Sequence, residues 1–286
     1  MEYSRPEALV ETDWLAGNLG KPGVASIDAS FHLPMANRDP IQEFKEKHIP
    51  GAVFFDINAI ADQGSDLPHM LPDEAQFGRD VGQLEISNDT HVICYDANGG
   101  AMAAMRAFWT FKIFGHEKVS LLNGGLPKWL SEDRETESGD AAPKPVSYTA
   151  ANFLSSNVKS VDDVLQNIDS GEAQFVDARS AGRFTATEPE PREGMRGGHV
   201  PRSINLPFQG LLHMDKHMQL RSADELTAVI TSAGIQPEKP IISSCGSGVT
   251  AAVLYFSLHL LGQDTAAIYD GSWTEWGGRA DTPIES

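Results

Sequence analysis

Cys245 is the residue of this chain with the most evident capacity for chemistry, and it follows a β-branched apolar run in the stretch IISSCGSGVT at 241–250. The apolar segment at 250–262 predicts a helix directly after it. A thiolate is the reactive form of cysteine, and the dipole and unpaired N–H groups at a helix N-terminus stabilise it. Gly246 and Gly248 let the loop curl so that successive amides face one anion. We therefore predict a nucleophilic cysteine on a strand-to-helix loop.

The hydroxyl residues of the cysteine loop and the second cysteine of the chain receive different roles according to their positions in the sequence. Ser247 and Thr250 are predicted to add hydroxyl donors to the cysteine loop, which contains no lysine. The second cysteine, Cys94, lies inside the strand-like run HVICYD and is predicted to belong to the core. Two cysteines at this spacing give neither a disulfide framework nor a metal-binding pattern, so we expect no metal and a reducing compartment.

The chain repeats itself weakly but in order, and this repeat governs the expected fold. Aligning the two copies places Asp96 opposite Cys245, so the first copy has no thiol at the matching loop. The sequence predicts a non-catalytic domain at 1–138, a polar linker with Pro and Gly at 139–152, and a catalytic domain at 153–286. The matching stretches are VASIDASF (24–31) with QFVDARSAGRF (174–184), HIPGAVFFDI (48–57) with HVPRSINLPF (199–208), HVICYDANGG (91–100) with PIISSCGSGV (240–249), and SLLNGGLPKW (120–129) with AIYDGSWTEW (267–276).

Each copy alternates short, mostly apolar runs with longer segments of helical periodicity. Such runs are typical of strands buried on both faces of a parallel sheet, and the alternation predicts an α/β fold. We expect two tandem domains, each a mostly parallel sheet flanked by helices, with ligands beyond the carboxyl ends of the strands. The predicted strands are VASID, AVFFDI, HVICYD, VSLLN, QFVDA, SINL, IISSC and AAIYD, and the predicted helices span 73–85, 101–115, 222–234 and 250–262.

The composition limits the classes of partner. Lys and Arg number 22 and Asp and Glu number 40, so the formal net charge is −18. Because such a field repels phosphate backbones, we expect no nucleic-acid partner. No apolar run approaches the roughly 20 residues that span a bilayer. The N-terminal sequence lacks an apolar signal core. We therefore expect no membrane partner and a cytoplasmic location.

The cysteine loop and its surroundings resemble a known family. C-G-S-G-V-T between a strand and a helix, in the second of two tandem copies, is similar to the loop of the rhodanese-type sulfurtransferases. More narrowly it resembles the 3-mercaptopyruvate sulfurtransferases, whose loop reads C-G-[ST]-G-V-T. The resemblance covers nearly the whole chain, is specific in combination, and implies two tandem rhodanese-like domains. The stretches that carry it are TDWLAGNL, HIPGAVFFDI, HMLP, LLNGG, VDARSAGRF, TEPEPR, GHVP and DGSWTEW.

The resemblance also implies a reaction. Cys245 would take sulfur from 3-mercaptopyruvate as a persulfide and release pyruvate. The sulfur would then pass to an acceptor such as thioredoxin, a small thiol or cyanide, and the scheme needs neither a metal nor an organic cofactor. Gly246, Gly248, Val249 and Thr250 are implied to bind the substrate as parts of the loop.

Two arginines and a histidine complete the implied site. Arg183 in G-R-F and Arg192 in E-P-E-P-R match the arginines that bind substrate in the family, and arginine suits the geometry of a carboxylate. His69 in LPHMLP matches a family histidine near the site, and Ser247 matches a serine proposed to work with it in proton transfer. The chain departs from the family at Asn58, where the acid of that proposed relay would stand.

Several alternatives stay open at this point. A thiosulfate sulfurtransferase has the same fold, but its dianionic donor suits a basic loop, and GSGVT contains neither Arg nor Lys. A phosphatase of this fold needs an arginine six residues after the cysteine, where this chain has Ala251. A non-catalytic binding module describes the first copy, whereas the second keeps its thiol. For Arg183 and Arg192, the alternative is that they are solvated or paired with neighbouring glutamates, namely Glu188, Glu190 and Glu193.

Overall fold

The computed structural model describes residues 2–33, 36–97, 103–264 and 266–286. In its first half, five strands form one sheet in which every pair is parallel. The elements are β1 (Leu9–Val10), α1 (Thr12–Ala16), β2 (Val24–Asp28), α2 (Pro40–Glu46), β3 (Val53–Phe54), α3 (Glu74–Gln83), β4 (His91–Tyr95), α4 (Ala103–Ile113), β5 (Val119–Leu122) and α5 (Gly125–Ser131). The strand order is β1-β5-β4-β2-β3, with β4 central.

The second half repeats this arrangement and adds a small hairpin. Its elements are β6 (Val158–Lys159), α6 (Val161–Ser170), β7 (Gln174–Asp177), α7 (Ala181–Phe184), β8 (Ile204–Asn205), β9 (Leu212–His213), β10 (Gln219–Leu220), α8 (Ala223–Ser232), β11 (Ile241–Ser244), α9 (Ala251–Leu260), β12 (Ala266–Tyr269) and α10 (Ser272–Trp276). The parallel sheet has the order β6-β12-β11-β7-β8, and β9 pairs with β10 in an antiparallel hairpin. Each strand of the first sheet therefore has a counterpart at the same place in the second.

Sequence periodicity identified the central strands and one edge strand of each sheet, and missed the other edge strand. Each of the eight predicted strands contains an observed strand, and each predicted helix contains an observed helix. The first two residues of the helix predicted at 101–115 lie outside the described residues, as do 98–100 of the aligned stretch 91–100. The two-residue edge strands β1 and β6 and the hairpin were not predicted, because they are too short to show a period.

The predicted linker at 139–152 contains neither helix nor strand, and all of it lies in the described part of the chain. It runs along the first domain: the N–H of Val146 donates to the carbonyl of Gly82 (3.0 Å), and the ring of Tyr148 packs edge-on against Phe77. The linker is thus attached to one domain along its length. The residue boundaries of the two domains stay a prediction.

The two domains meet through α4 and α9, the helices that follow the central strand of each sheet. Both helices are almost entirely buried, and the ring of Phe108 packs edge-on against Phe256 with centroids 4.7 Å apart. Because these helices start where β4 and β11 end, their packing brings residues of the first domain close to the cysteine loop. None of the helices in the described ranges combines the length and the apolar character that crossing a bilayer requires.

Candidate active site around Cys245

Cys245 lies directly after β11, at the carboxyl end of the central strand, and is only 1% exposed. Its N–H donates to Ser272 Oγ (3.3 Å), and its carbonyl accepts from the N–H of Trp273 (3.0 Å). The next carbonyl, that of Gly246, accepts from both the N–H (2.9 Å) and the hydroxyl (2.6 Å) of Thr274. These bonds fasten the start of the cysteine loop to α10, so the loop is held in place before any ligand arrives.

The rest of the cysteine loop is a set of amides without protein partners. Within the described ranges, the N–H groups of 246–249 find no hydrogen-bond acceptor. Val249 is buried, and Thr250 leads into α9 with helical backbone angles. Gly248 has a φ of +74°, in the left-handed region that favours glycine. A curled loop of free N–H groups before a helix matches the predicted anion-binding nest.

The two predicted arginines lie together over this loop. A Cβ placed on Gly246 would come within 3.1 Å of Arg183 Nη2 and 3.7 Å of Arg192 Nη1, so glycine leaves room for both guanidinium groups. Burial lowers the pKa of Arg192, the Cys245 sulfur raises it again, and the charge of Arg183 lowers it. Both cationic groups therefore lie beside the residue that follows Cys245, and Arg192 interacts electrostatically with the sulfur.

A shared carboxylate distinguishes the two arginines. Arg183 Nη2 lies 2.6 Å from Glu190 Oε2, and the other oxygen of Glu190 lies 2.7 Å from Arg179 Nη1. Arg179 is fully buried, also pairs with Asp177, and lies 4.0 Å above the ring of Trp273. The glutamate alternative is thus confirmed for Arg183 in part, and Arg179 is a supporting residue in an internal ion-pair network.

Arg192 is the less committed of the two arginines. Its hydrogen bond to the protein is a long one, from Nη2 to Ser247 Oγ at 3.4 Å. Among the residues that the structure describes, no carboxylate forms an ion pair with it. Its charge is therefore available to a bound anion, whereas that of Arg183 is partly neutralised by Glu190.

His69 is buried in the first domain, near the site but without the expected relay. It is 5% exposed, has a φ of +62°, and packs edge-on against Phe31 with ring centroids 4.8 Å apart. Burial, followed by the charges of Arg106 and Arg192, lowers the pKa of His69 to about 3. In the described part of the chain neither ring nitrogen has a hydrogen-bond partner, and Asn58 is exposed. The Ser247–His69–acid relay is not assembled in this structure.

Sequence reasoning gave no role in the site to Arg106, Asp270 or Glu190. Arg106 Nη1 lies 2.7 Å from Asp270 Oδ1, across the domain interface. A signal for it was present in the sequence, because a single arginine within the apolar run AAMRAFWTF must find a partner when the helix is buried. No comparable signal marked Asp270, whose partner Arg106 is distant in the sequence. Glu190 was weighed only as one of three glutamates that could pair with Arg183 and Arg192.

The chemistry of this arrangement is that of a nucleophile for small anions. A thiol at the N-terminus of α9 has free amides to stabilise negative charge on sulfur or on an atom bonded to it. Two guanidinium groups beside Gly246 supply paired donors of the kind that bind small anions. No group of three or more His, Cys, Asp and Glu side chains in the described ranges is arranged to hold a metal ion.

Comparison with known proteins identifies the family of the chain. The family model described as the rhodanese-like domain matches residues 11–132 and 160–279. The 3-mercaptopyruvate sulfurtransferase of Escherichia coli K12 is 44% identical over 277 residues, which is 96% of this chain and 97% of that protein. The thiosulfate sulfurtransferase of Mus musculus is 42% identical, covering 96% of this chain and 93% of its own length. The crystal structure of SseA from Escherichia coli superposes with a TM-score of 0.83 at 40% identity, over 93% of this chain and 98% of that one.

The fold thus defines a protein of the tandem α/β class, with a loop cysteine at the central strand of the second domain. The chain belongs to the rhodanese-like family, with two rhodanese-like domains in tandem.

Proposed function

We propose that this protein is a sulfurtransferase that takes sulfur from 3-mercaptopyruvate, carries it as a persulfide on Cys245, and passes it to a thiol or cyanide while releasing pyruvate. The observation that carries the proposal is the buried Cys245, which is followed by Gly246 packed against the guanidinium groups of Arg183 and Arg192 and by a loop of free amides. The relatives named 3-mercaptopyruvate sulfurtransferase support the choice of donor.

In the first step the Cys245 thiolate attacks the sulfur of the donor. A sulfur–sulfur bond forms, and the electron pair of the broken carbon–sulfur bond passes to the departing carbon, where the adjacent carbonyl delocalises it as an enolate. The thiol proton of the donor stays on the outer sulfur, and the enolate takes a proton to become pyruvate. When the outer sulfur then gives up its proton to water, the amides of 246–249 stabilise the negative charge of the resulting persulfide anion.

The donor's carboxylate is assigned to the arginines. Arg192 has no competing carboxylate among the described residues, and Glu190 orients Arg183, so together they offer donors on one side of the cysteine loop. Thiosulfate is the alternative donor, and the thiosulfate sulfurtransferase among the relatives supports it. Because the cysteine loop itself contains no basic side chain, we rank thiosulfate as a side activity.

In the second step an acceptor thiolate or cyanide attacks the outer sulfur and restores Cys245. Thioredoxin, small thiols and cyanide all have the required nucleophile. Cys94 and Cys245 are both free and buried, which fits work in a reducing compartment such as the cytoplasm.

The experiment is a comparison of donors. Pyruvate release from 3-mercaptopyruvate and thiocyanate formation from thiosulfate and cyanide are measured for the native protein and for the Arg183→Ala/Arg192→Ala double variant. We expect a strong preference for 3-mercaptopyruvate and, in the double variant, a large rise in KM for that donor above all. A preference for thiosulfate would overturn the choice of donor. Turnover of neither donor by a protein whose Cys245 still reacts with iodoacetamide would favour a binding module.

A further inference from the structure

Arg106 is a buried cation at the boundary between the domains. It lies on α4 of the first domain, is 2% exposed, and has the ring of Trp109 4.4 Å from its guanidinium carbon. Its neighbours along α4 are apolar and buried. A guanidinium group in such surroundings is costly unless its N–H donors find acceptors, so its partners indicate its purpose.

Those partners belong to three different segments. Nη2 donates to the carbonyl of His69 (2.5 Å), and Nη1 donates to the carbonyl of Gly248 in the cysteine loop (3.3 Å). Nη1 also forms the 2.7 Å ion pair with Asp270, which follows β12 of the second domain. The other oxygen of Asp270 accepts from the N–H of Leu71 (2.9 Å). The Arg106–Asp270 pair therefore joins the cysteine loop to the turn at 69–71 of the first domain.

Both backbone positions held by Arg106 are unusual. His69 and Gly248 each have a positive φ, and a Cβ on Gly248 would come within 2.9 Å of Arg106 Nη1 and 3.0 Å of the carbonyl of Asp270. A positive φ is ordinary for glycine, but at His69 it persists because the surroundings hold it in place. The contacts of Arg106 fall on the two carbonyls themselves, so the cation acts on loop geometry rather than on the reacting atoms.

We propose that Arg106 is a positioning residue for sulfur transfer: from the non-catalytic domain it holds the cysteine loop in its anion-binding curl and the His69 turn against it, with Asp270 as its counter-ion. This inference rests on the proposed function for its link to turnover. It gives the first domain a part in the reaction although that domain has no catalytic thiol.

The guanidinium group of Arg106 makes two carbonyl contacts and one ion pair, and a lysine at this position would reproduce only part of them. Lysine supplies the charge for Asp270 from a single point, but it does not span the carbonyls of His69 and Gly248 together. Methionine fills much of the space and supplies neither charge nor donors. The two substitutions R106K and R106M therefore separate the contribution of the charge from that of the fork geometry.

The test measures kcat and KM for 3-mercaptopyruvate, the rate of Cys245 alkylation by iodoacetamide, and thermal unfolding, for the native protein, R106K, R106M and D270N. The matched control is R38M, which removes an exposed first-domain arginine paired with Glu43. We expect R106M to lower kcat by about 10²-fold with KM little changed, since misplacement by about 1 Å has that cost. R106K and D270N should show the same split to a smaller extent, and R38M should match the native protein.

Thermal unfolding and alkylation separate the possible failures. All rates are taken well below the unfolding midpoint of each variant, so that only folded protein is compared. If folded R106K and D270N keep native kcat and native alkylation rates, while only their unfolding temperatures fall, Arg106 is structural and the inference is overturned. If the native protein releases no pyruvate, the proposed function fails. The alkylation rates still decide the inference in that case, because they require no donor: an unchanged rate in R106K refutes it and an altered rate supports it.

Discussion

At the carboxyl end of β11 the second domain presents the Cys245 thiol, whereas at the same end of β4 the first domain presents the Asp96 carboxylate. The backbone around the two residues is alike: the carbonyl of Asp96 accepts from the N–H of Leu126 (3.1 Å), as that of Cys245 does from Trp273 (3.0 Å). Asp96 Oδ2, however, accepts from the N–H of Ala104 at the start of α4 (3.0 Å). In the first domain the Asp96 carboxylate thus lies at the N-terminus of α4. In the second domain the N-terminus of α9 is left for the sulfur of Cys245.

The ends of the neighbouring strands, β2 in the first domain and β7 in the second, also differ between the domains. In the second domain Asp177 is paired with Arg179. The matching Asp28 is buried and meets Ser30 instead, and burial raises the pKa of Asp28 to about 6, although the hydrogen bonds of Ser30 oppose the shift. A cavity of about 390 Å³ still opens beside Asp28 and Ser30. The two domains therefore share their strand arrangement, while the side chains at the strand ends differ.

The largest expected effect tests whether a cysteine at the equivalent position of the first domain can replace Cys245 in turnover. Cys245→Ser should lower pyruvate release by at least about 10³-fold, because the nucleophile is lost. Adding Asp96→Cys to that variant should restore nothing, since the arginine pair covers the second-domain loop instead. Steady-state assays on folded protein, with Cys94→Ala as a cysteine control, make the measurement. Recovery of turnover by Asp96→Cys would contradict the claim that only the second domain supports an active thiol.

A smaller effect separates the two arginines. Arg192→Met should lower kcat/KM by about 10²-fold and Arg183→Met by about tenfold, since a hydrogen bond between charged groups contributes roughly 1.5–3 kcal/mol and Glu190 already neutralises part of Arg183. Initial rates at low donor concentration give these ratios. Arg38→Met, which removes the exposed partner of Glu43 in the first domain, is the control and should change neither constant. Equal losses for both arginines would show that Glu190 does not distinguish them.

Neutralising the equivalent residues Asp28 and Asp177 should change the free energy of unfolding in opposite directions. Asp28 has a raised pKa in the folded state, so its ionised form destabilises the protein, and that cost grows as pH rises from 3.8 to about 6. Asp28→Asn should therefore increase the free energy of unfolding above pH 6, by at most about 3 kcal/mol. Asp177→Asn should lower it, by up to about 3 kcal/mol, because the buried Arg179 loses one of its two carboxylate partners and keeps only Glu190. Urea unfolding on both sides of about pH 6 measures both; a loss of stability in each variant would contradict the contrast.

The smallest effect concerns His69. Because its pKa is lowered to about 3, His69 stays neutral near neutral pH and does not act as a protonated imidazolium that donates a proton. Its neutral form contributes stability above pH 6.5 that is lost as pH falls towards about 3. His69→Gln should lower kcat by less than the roughly 10²-fold typical of losing a general acid–base, and leave the shape of the pH–rate profile unchanged. An acid limb near pH 6.5 that disappears in His69→Gln would show that His69 titrates during turnover.

The parts of this site that the sequence predicted are those encoded locally. The run IISSCGSGVT contains its own strand end, its own positive-φ glycine at Gly248 and the start of α9, so its geometry is dictated by neighbours in the chain. The duplication then supplied the two sheets, since matching strands occupy matching places. Arg183 and Arg192 were found through the resemblance, because their local sequence equally allowed pairing with glutamates.

The parts that were missed depend on contacts between distant segments. Arg106 and Asp270 meet only when α4 packs on α9, and neither segment alone indicates the other. The sharing of Glu190 between Arg179 and Arg183 depends on how the loop after α7 folds back. The edge strand β1 exists through its pairing with β5, and two residues carry no period of their own.

The central claim is that one sulfur atom passes through Cys245, and intact-protein and peptide mass spectrometry after a single turnover tests it most directly. The protein is mixed with one equivalent of 3-mercaptopyruvate in the absence of acceptor, and released pyruvate is counted in the same sample. We predict the added mass of one sulfur atom on the Cys245 peptide, one pyruvate for each sulfur gained, and loss of that mass on adding cyanide. Pyruvate release without added mass on Cys245, or added sulfur on Cys94 instead, would contradict the account.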